Sequence, residues 1–397
     1  MIIRKLRPEE LRSADRLDSC AFIMPVPEAQ KETPKQPEYR VDRWGLFDDA
    51  QTMACTLYNH NMPIYFDGGI AAARGVGGVA SDPVSRGQGH IRALFQQVLQ
   101  DDYRAGVLFS TLYPFSSSFY RKFGYEVCYE GVKARIATRE LKRFQTGDPP
   151  QARLLRPGDG TAALRPLYAA MAQAYNVMAA RDENGWLRHP VGDPDKAERY
   201  CYVLSRDGQD VAYADFSFRQ GEPQYVHTLC LTDCGYADVA GFNDMMGFLS
   251  RFASVAQTVE MTLPEDLPLA SLLPEASQVE YLHVSNPMAR AVCVERVLKA
   301  MRHPQADGCY TLRIDDAFLK ENNGGYAVRY TKDGVVTVSQ TQGDADMRLS
   351  VQTFTQLALG SIALRDALFK PDVSLRANRE TLESVFVRKA KLLLDWY

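Results

Sequence analysis

The stretch VASDPVSRGQGHIRALF (79–95) combines two glycines with two arginines where a strand pattern gives way to a helix pattern. Gly87 and Gly89 let the backbone approach a ligand closely and adopt angles closed to other residues. The free N–H groups at a helix start, together with the helix dipole, attract a pyrophosphate. Arg86 and Arg92 can add charge-assisted hydrogen bonds. The stretch therefore predicts a site for a phosphate compound.

Two common phosphate-binding motifs do not fit this loop. A P-loop needs G-x-x-x-x-G-K-[ST], and no Lys-Ser or Lys-Thr pair follows these glycines. A Rossmann fingerprint follows the first strand of a βαβ unit and has an acid further on, whereas this loop follows a fourth or fifth strand. A basic helix start after an ordinary turn, with no ligand, is the remaining alternative.

The loop RGQGHI (86–91) resembles the R/Q-x-x-G-x-G/A loop of the GNAT acetyltransferase superfamily, with Ile91 in the place of Gly or Ala. It is more similar to the Eis-type (enhanced intracellular survival) N-acetyltransferases, in which a larger aliphatic residue is common there. LYPFSSSFYRKFGYE (112–126) also resembles that family's segment around its catalytic tyrosine. The resemblance implies an α+β fold with tandem GNAT-like domains, the second degenerate and without a phosphate loop. A sterol-carrier-protein-like α+β domain would follow them.

The resemblance also implies acetyl-CoA as the co-substrate, held by three groups of residues. They are Val79, Ala80 and Ser81 on the strand beside the pantetheine arm, Gly87, Gln88, Gly89, His90, Ile91 and Arg92 in the pyrophosphate loop, and Phe115 and Ser116 after the next strand. Glycine inside a strand often marks a bulge, so Gly77-Gly78 predicts one that splays the first of these strands.

Acetyl transfer to an amine requires that the nitrogen loses a proton and that the departing thiolate gains one. The resemblance assigns the proton donor to Tyr120. An unperturbed tyrosine pKa of about 10 keeps the phenol protonated at neutral pH, as a donor requires. A half-buried aromatic without a chemical role is the alternative, because FYRKFGY has aromatics every few residues.

The base is less evident from the residues. By resemblance it is the C-terminal carboxylate of Tyr397, which the apolar run KLLLDWY would thread into the first domain's active site. A free α-carboxyl has a pKa of about 3.5, and burial would raise it. A hydrophobic anchor without chemistry is the alternative. His60 is interpreted as a solvated residue of a polar turn.

The resemblance implies acceptors with primary amines on polycationic molecules, either aminoglycosides or lysine side chains of peptides. Such acceptors need a roomy acidic pocket. Its candidate acids, each of which is otherwise an ordinary surface acid, are Asp18, Glu28, Glu32 and Asp395. Its candidate aromatics, each of which is otherwise a core residue, are Phe22, Phe66, Phe119 and Trp396.

The elements that would position these residues follow from the hydrophobic periodicity. MIIRKL and VLFSTLYP predict strands, HIRALFQQVLQDDYRAG predicts the helix behind the loop, and EVCYEGVKARIAT predicts the segment's final strand. A similar order of elements, including a helix over 164–180, follows the linker 146–160. There the long strand leads into DCGYAD, without basic glycines, which indicates a duplicated fold that has lost its phosphate loop.

Three domains are therefore expected. They span 1–145, the catalytic domain; 151–286, the degenerate domain; and 287–397, the sterol-carrier-like domain whose C-terminus reaches the active site. In the last, YAVRY-TKDG-VVTVSQ predicts a hairpin, because Asp333-Gly334 is a turn signal. A chain of 397 residues also exceeds the range in which a single core keeps growing.

Composition narrows the function class. A net charge of −3 gives no indication of a general nucleic-acid or membrane-surface binder. No signal-peptide pattern or membrane-spanning run is present, and scattered cysteines favour a reducing, cytoplasmic setting. Cys230 and Cys234 form a lone C-x3-C without partners, so no metal site is predicted. Family members assemble as hexamers, so the resemblance implies a homo-oligomer.

Two other functions remain open from the sequence. The chain could be a lipid-binding or acyl-carrying protein in which the first domain only senses CoA. It could also transfer a longer acyl chain, as N-myristoyltransferases do, since those pair GNAT-like folds with a C-terminal carboxylate. Tyr120 and the apolar C-terminus favour an enzyme over a carrier.

Overall fold

A computed structural model of the protein describes residues 1–26, 41–223, 226–264 and 266–395. We call the predicted ranges 1–145, 151–286 and 287–397 the first, second and third segments. The strands of the first segment are β1 (Ile2–Lys5), β2 (Val41–Phe47), β3 (Met53–Asn61), β4 (Ile64–Phe66), β5 (Gly69–Ala71), β6 (Ala73–Ser81), β7 (Phe109–Leu112), β8 (Glu126–Val127) and β9 (Gly131–Ala137). Its helices are α1 (Leu11–Phe22), α2 (His90–Ala105) and α3 (Ser117–Arg121).

The other two segments have the following elements. The second segment contains β10 (Gln151–Leu155), α4 (Leu164–Ala172), α5 (Glu183–Leu187), β11 (Tyr200–Arg206), β12 (Gln209–Gln220), β13 (His227–Tyr236), α6 (Val239–Leu249), β14 (Thr258–Thr262), α7 (Leu269–Leu272) and β15 (Val279–Ser285). The third contains β16 (Met288–Ala291), α8 (Val294–Ala300), β17 (Gly308–Asp315), β18 (Gly324–Tyr330), β19 (Val336–Thr341), β20 (Met347–Ser350), α9 (Val351–Leu359), α10 (Leu364–Ala367), β21 (Ser374–Leu375) and α11 (Arg379–Val385).

The two large sheets have matching strand orders. The first is β1-β2-β3-β6-β7-β16-β8 and the second is β10-β11-β12-β13-β14-β9-β15. In each sheet the central pair, β6 with β7 or β13 with β14, is parallel. The duplication predicted from the order of elements is therefore present in the topology.

The sheets exchange one strand each, which the sequence analysis did not foresee. Strand β9 pairs with β14 and β15 in the second sheet, and β16 pairs with β7 and β8 in the first. The prediction that EVCYEGVKARIAT forms one final strand is thus wrong, because it divides into β8 and β9 in different sheets. Period-2 alternation indicates a strand but does not say which sheet edge it joins.

Smaller corrections concern the second segment. The interval 146–160, predicted as a linker, contains the edge strand β10. The helix predicted over 164–180 ends at Ala172. In the third segment, β18 and β19 form the predicted hairpin, with Gly334 at φ +80° in its turn.

Helix α2 positions the glycine-rich loop. Its buried residues Leu94, Phe95, Val98 and Leu99 follow the helical repeat and pack on the first sheet. The carboxylate of Asp102, also buried, accepts hydrogen bonds from the amide of Asn59 on β3, at 3.0 and 3.1 Å. Its buried apolar residues and Asp102 in its last turn together fix α2 relative to the strands.

The third segment packs directly on the first. Its sheet, β19-β18-β17-β20-β21, shares a continuous core with β4 and β7, in which Phe66 and Phe109 contact at 5.0 Å between ring centroids. Arg290 of β16 is fully buried, and its guanidinium binds the Asp316 carboxylate. None of the helices in the part of the chain that the structure describes is long and apolar enough to cross a membrane.

Candidate active site

Strands β6 and β7 diverge in the centre of the first sheet. Their parallel pairing ends at Val76 and Leu112, while β6 continues to Ser81. The register of β6 against β3 shifts beside Gly78, whose φ is +52° and where a Cβ would clash with the Tyr58 ring. The bulge predicted from Gly77-Gly78 is therefore confirmed. The backbone of residues 79–81 is left without pairing from β7, so it can bond an extended ligand.

The glycine-rich loop ends in an uncapped helix. Gly87 and Gly89 have φ values of +79° and +82°, and α2 begins directly after Gly89. Gly89 has no side chain to cap the helix, so the first N–H groups of α2 have no partner of that kind. A Cβ added at either glycine would meet nothing within 4 Å. The conformation requires glycine, and the space above the loop is open.

The side chains around this loop point in several directions. Ile91 packs into the core beneath the sheet, so its aliphatic side chain serves packing. The guanidinium of Arg92 lies 5.2 Å from the ring of Phe318 in the third segment. The amide of Gln88 reaches the carbonyl oxygen of Val84 at 3.5 Å. The backbone N–H groups at the start of α2 and the exposed Arg86 are therefore available as donors.

Tyr120 lies in an aromatic cluster on α3. Ser116 caps this short helix, since its Oγ accepts a hydrogen bond from the Phe119 N–H at 3.4 Å. Edge-to-face contacts join the Tyr120 ring to those of Phe115, Phe119 and Phe95, with centroids 5.2–6.0 Å apart. Burial raises the pKa of Tyr120 well above its usual range. The phenol therefore keeps its proton at neutral pH.

His60 is not the solvated turn residue that we expected. It lies on β3, is buried, and stacks on Tyr58 with ring centroids 5.7 Å apart. Burial, together with the Arg188 guanidinium, lowers the pKa of His60 to about 4, so the imidazole is neutral at pH 7. Register places His60 opposite Gly75, and Gly75 opposite Thr111. The alternation of apolar and polar residues in TMACTLYNHN (52–61) could have placed His60 in the strand.

Asp18 is held by an arginine. Arg43, which is buried, binds the carboxylates of both Asp15 and Asp18 at 2.6 Å. Burial raises the pKa of Asp18 to about 6, although Arg43 opposes the shift. Glu28 and Glu32 lie outside the described residues. Of the predicted pocket acids, Asp18 therefore lies on α1 beside Asp15, and both carboxylates share the guanidinium of Arg43 on β2.

Asp395 is not a surface acid. Its side chain is buried in the second segment, where it binds Arg181 at 3.0 Å, His189 at 2.7 Å and the Tyr168 hydroxyl at 3.1 Å. Burial alone would raise the pKa of Asp395, but Arg181 and His189 outweigh it and hold the pKa below its usual range. The carboxylate is thus committed to a structural network.

The main-chain carbonyl group of Asp395 contacts the first segment. Tyr113, which directly follows β7, donates its hydroxyl hydrogen bond to the Asp395 carbonyl oxygen at 2.8 Å. Residue 395 is thereby bonded to the second segment through its side chain and to Tyr113 of the first segment through its main chain. Trp396 and Tyr397 lie outside the described residues. Sequence reasoning missed Tyr113 and Arg181 in this role, because neither the predicted strand VLFSTLYP around Tyr113 nor the predicted helix before Arg181 indicates a contact with residue 395.

The predicted aromatic residues are dispersed. Phe119 adjoins Tyr120, whereas Phe66 is buried in the core shared with the third segment. Phe22 ends α1 and is half exposed. Cys230 and Cys234 lie on β13. Among the described residues, no group of three His, Cys, Asp or Glu side chains is arranged to hold a metal ion.

Three family models match the chain. Residues 2–128 and 177–291 each match an acetyltransferase (GNAT) domain, and residues 294–393 match a sterol carrier protein domain. No curated protein sequence matches the chain significantly.

Solved structures with the same fold cover the whole chain. A probable N-acyltransferase of Enterococcus faecalis is 22% identical, with a TM-score of 0.84 over 100% of this chain and 99% of that one. A GCN5-related N-acetyltransferase from Anabaena variabilis is 19% identical, with a TM-score of 0.86 over 100% of both chains. Eis1 from Mycobacterium abscessus is 18% identical, with a TM-score of 0.81 over 100% of both chains.

Proposed function

As this chain is a GNAT acetyltransferase with the three-domain fold of the Eis proteins, we propose that it acetylates a primary amine of a cationic acceptor from acetyl-CoA. One observation carries the proposal. A bulged strand with an unpaired edge leads into an uncapped helix start, and the segment after the neighbouring strand carries a buried, protonated tyrosine.

The residues present fit acetyl-CoA as a substrate. Backbone groups of Val79, Ala80 and Ser81 would bond the pantetheine arm, as a strand would. The N–H groups of residues 87–92, with the helix dipole, would bind the pyrophosphate. Phe115 and Ser116 would border the arm at the start of α3.

Tyr120 would complete the chemistry at sulfur. The amine nitrogen attacks the thioester carbon, a C–N bond forms, and the C–S bond breaks with its electron pair on sulfur. The Tyr120 phenol gives that sulfur its proton and is reprotonated by solvent, which finally receives the proton that the nitrogen loses. The Tyr120 phenol is protonated before each turnover, as a proton donor requires.

The carboxylate of Tyr397 would accept the proton from the amine. Support comes from the hydrogen bond between Tyr113 and the Asp395 carbonyl oxygen, because it holds the chain two residues before its end beside β7. Asp395 itself is excluded as the base, since Arg181 and His189 bind its side chain.

A cationic acceptor is supported by the carboxylates of Asp15 and Asp18. They share the single guanidinium of Arg43, so these three side chains together carry one negative charge. Polyamines, aminoglycosides and lysine peptides present several ammonium groups, and each is a suitable test acceptor.

Thiol release from acetyl-CoA, measured with these acceptors, tests the proposal. Tyr120→Phe should lower turnover about 10²- to 10⁴-fold, the range for a lost proton donor, and leave the acetyl-CoA Kd unchanged. Tyr103→Phe on α2 removes a hydroxyl away from the site and should retain full turnover. Equal turnover of the two variants would refute the donor role.

A terminal extension tests the base. Three glycines added after Tyr397 move the carboxylate away and should abolish turnover, whereas three glycines added before Met1 should not. Full activity of the C-terminally extended protein would remove the carboxylate from the mechanism.

A further inference from the structure

A large cleft lies away from the substrate-binding strands, where all three segments meet. Its volume is about 820 Å³, which is in the range of cavities that hold small organic ligands. The third segment lines one part of it and the second segment another, and β8, the turn after it and β9 line the rest.

The wall from the third segment is basic. It presents Lys370, Arg388 and Lys391 to the cleft. Lys370 donates to the neutral amide oxygen of Gln356 at 2.7 Å, and Arg388 pairs with Asp366 at the surface. Lys391 is 3% exposed, and its ammonium donates to the carbonyl oxygens of Gly360 and Lys389 at 3.3 and 3.2 Å. All three cations thus line the cleft from the third segment.

The wall from the second segment is apolar. Leu263, Leu267 and Leu269 line it beside the half-exposed ring of Tyr281 on β15. The remaining side holds Arg121, which Glu126 binds at 2.6 Å, and the carboxylate of Glu130. A ligand that matches both walls must carry negative charge at one end and an apolar body at the other.

We propose that this cleft binds a single-chain organic anion, with its head group on Lys370, Arg388 and Lys391 and its apolar body against the leucines. Charge-assisted hydrogen bonds to the head group supply selectivity for an anion. Burial of the chain supplies affinity that grows with its length. This inference does not depend on acetyl transfer, and a protein inactive toward amines would still bind the ligand.

Calorimetric titration of the full chain with decanoate tests the inference, with CoA at saturation so that the substrate site is closed. Decanoate should bind, decanol should bind at least about tenfold more weakly, and decylamine should not bind. Each methylene between hexanoate and decanoate should tighten the Kd about two- to fourfold. Decyl phosphate, compared with decanoate, identifies the head group the cleft prefers.

Two double variants with matched charge locate the site. Lys370→Gln/Arg388→Gln should weaken decanoate binding at least about tenfold. Lys299→Gln/Arg365→Gln removes two exposed cations of the same segment outside the cleft, one of them beside the Asp366 that Arg388 binds, and should bind normally. Equal affinities of these variants, equal binding of decanol, or no binding of any anion would overturn the proposal.

Discussion

In the first acetyltransferase domain α2 begins at Gly89, and in the second the equivalent helix, α6, begins after Asp238. The Asp238 carboxylate accepts the Gly241 N–H at 2.9 Å, so the second helix caps itself. A Cβ on Gly241 would clash with the Val211 carbonyl oxygen, which leaves no room for a ligand there. One helix start is thus open to phosphate, and the other is filled by its own side chain and packed on a neighbouring strand.

The space between the central strands differs in the same way. In the second sheet, the register of β13 shifts before Asp233, and the carboxylate of that residue binds Arg181 at 2.7 Å. Arg181 in turn binds Asp395 near the chain end. Two copies of one fold can therefore have either an open space or a structural ion network beyond the paired part of the central strands. The residues at the helix start and at the bulge decide which of the two each copy has.

The largest effect should follow from breaking the network in the second domain. Arg181→Met leaves the buried carboxylates of Asp233 and Asp395 without their guanidinium, which should cost about 3–5 kcal/mol of unfolding free energy. Thermal denaturation measures the loss. Arg165→Met, which removes an exposed pair with Glu183, is the control and should cost under about 1 kcal/mol. Similar melting temperatures for the two variants would contradict a structural role for the network.

A substitution that gives α2 an acidic cap residue, as α6 has in Asp238, should block the proposed phosphate site. Gly89→Asp adds a carboxylate at the N-terminus of α2, where it competes for the free N–H groups and repels phosphate. The acetyl-CoA Kd should rise about 100-fold by calorimetry. Gly89→Asn is nearly isosteric but neutral and tolerates positive φ, so its loss should be smaller. If Asp and Asn weaken binding equally, charge at the helix start is not the cause.

Two buried groups, His60 in the first domain and Asp215 in the second, should make opposite contributions to the pH dependence of stability. Between pH 6.5 and 4 the unfolded chain protonates His60 and the folded chain does not, so its contribution to stability, about 2–3 kcal/mol, fades as pH falls. Burial raises the pKa of Asp215 to about 7, although the Arg199 guanidinium opposes the shift. As pH falls from 7 to 4 the folded chain therefore binds a proton at Asp215 before the unfolded chain does, and the contribution of Asp215 to stability grows.

Melting temperatures between pH 7 and 5 separate these contributions. His60→Gln should lose less stability on acidification than the unmodified protein, and Asp215→Asn should lose more. Identical pH profiles for the three proteins would show that neither group is shifted as its burial indicates.

The smallest effect should come from the self-capped helix. Asp238→Ala removes the cap of α6 and should cost about 1 kcal/mol of stability, with no change in the acetyl-CoA Kd. Asp238→Asn retains a capping oxygen and should cost less. A weaker acetyl-CoA Kd for Asp238→Ala would mean that the second domain takes part in binding this substrate.

Local features of the site could be predicted from the sequence. The bulge at Gly77-Gly78, the helix start at Gly89 and the hairpin turn at Gly334 all depend on backbone angles that a glycine in that position allows. Such preferences act between neighbours in the chain, so a short stretch contains the information. The assignments of Tyr120 and Tyr397 remain predictions from resemblance, supported by the geometry around α3 and Asp395.

Features that join distant parts of the chain could not be predicted. The burial of His60 depends on packing that includes Arg188, and the strand exchange depends on which sheet edge β9 and β16 meet. The contact between Tyr113 and Asp395 spans 282 positions.

The sequence by itself determined a glycine-rich loop at a helix start, a duplicated set of elements and a third, different domain. These features follow from local backbone angles and from the spacing of hydrophobic residues, both of which are set within each segment independently of the other segments. Only the tertiary structure decided that the Asp395 carboxylate is bound by Arg181 and His189 and does not serve as a pocket acid, and that the His60 imidazole is buried and neutral. Charge state and exposure depend on all groups within a few ångströms, and most of those groups come from elsewhere in the chain.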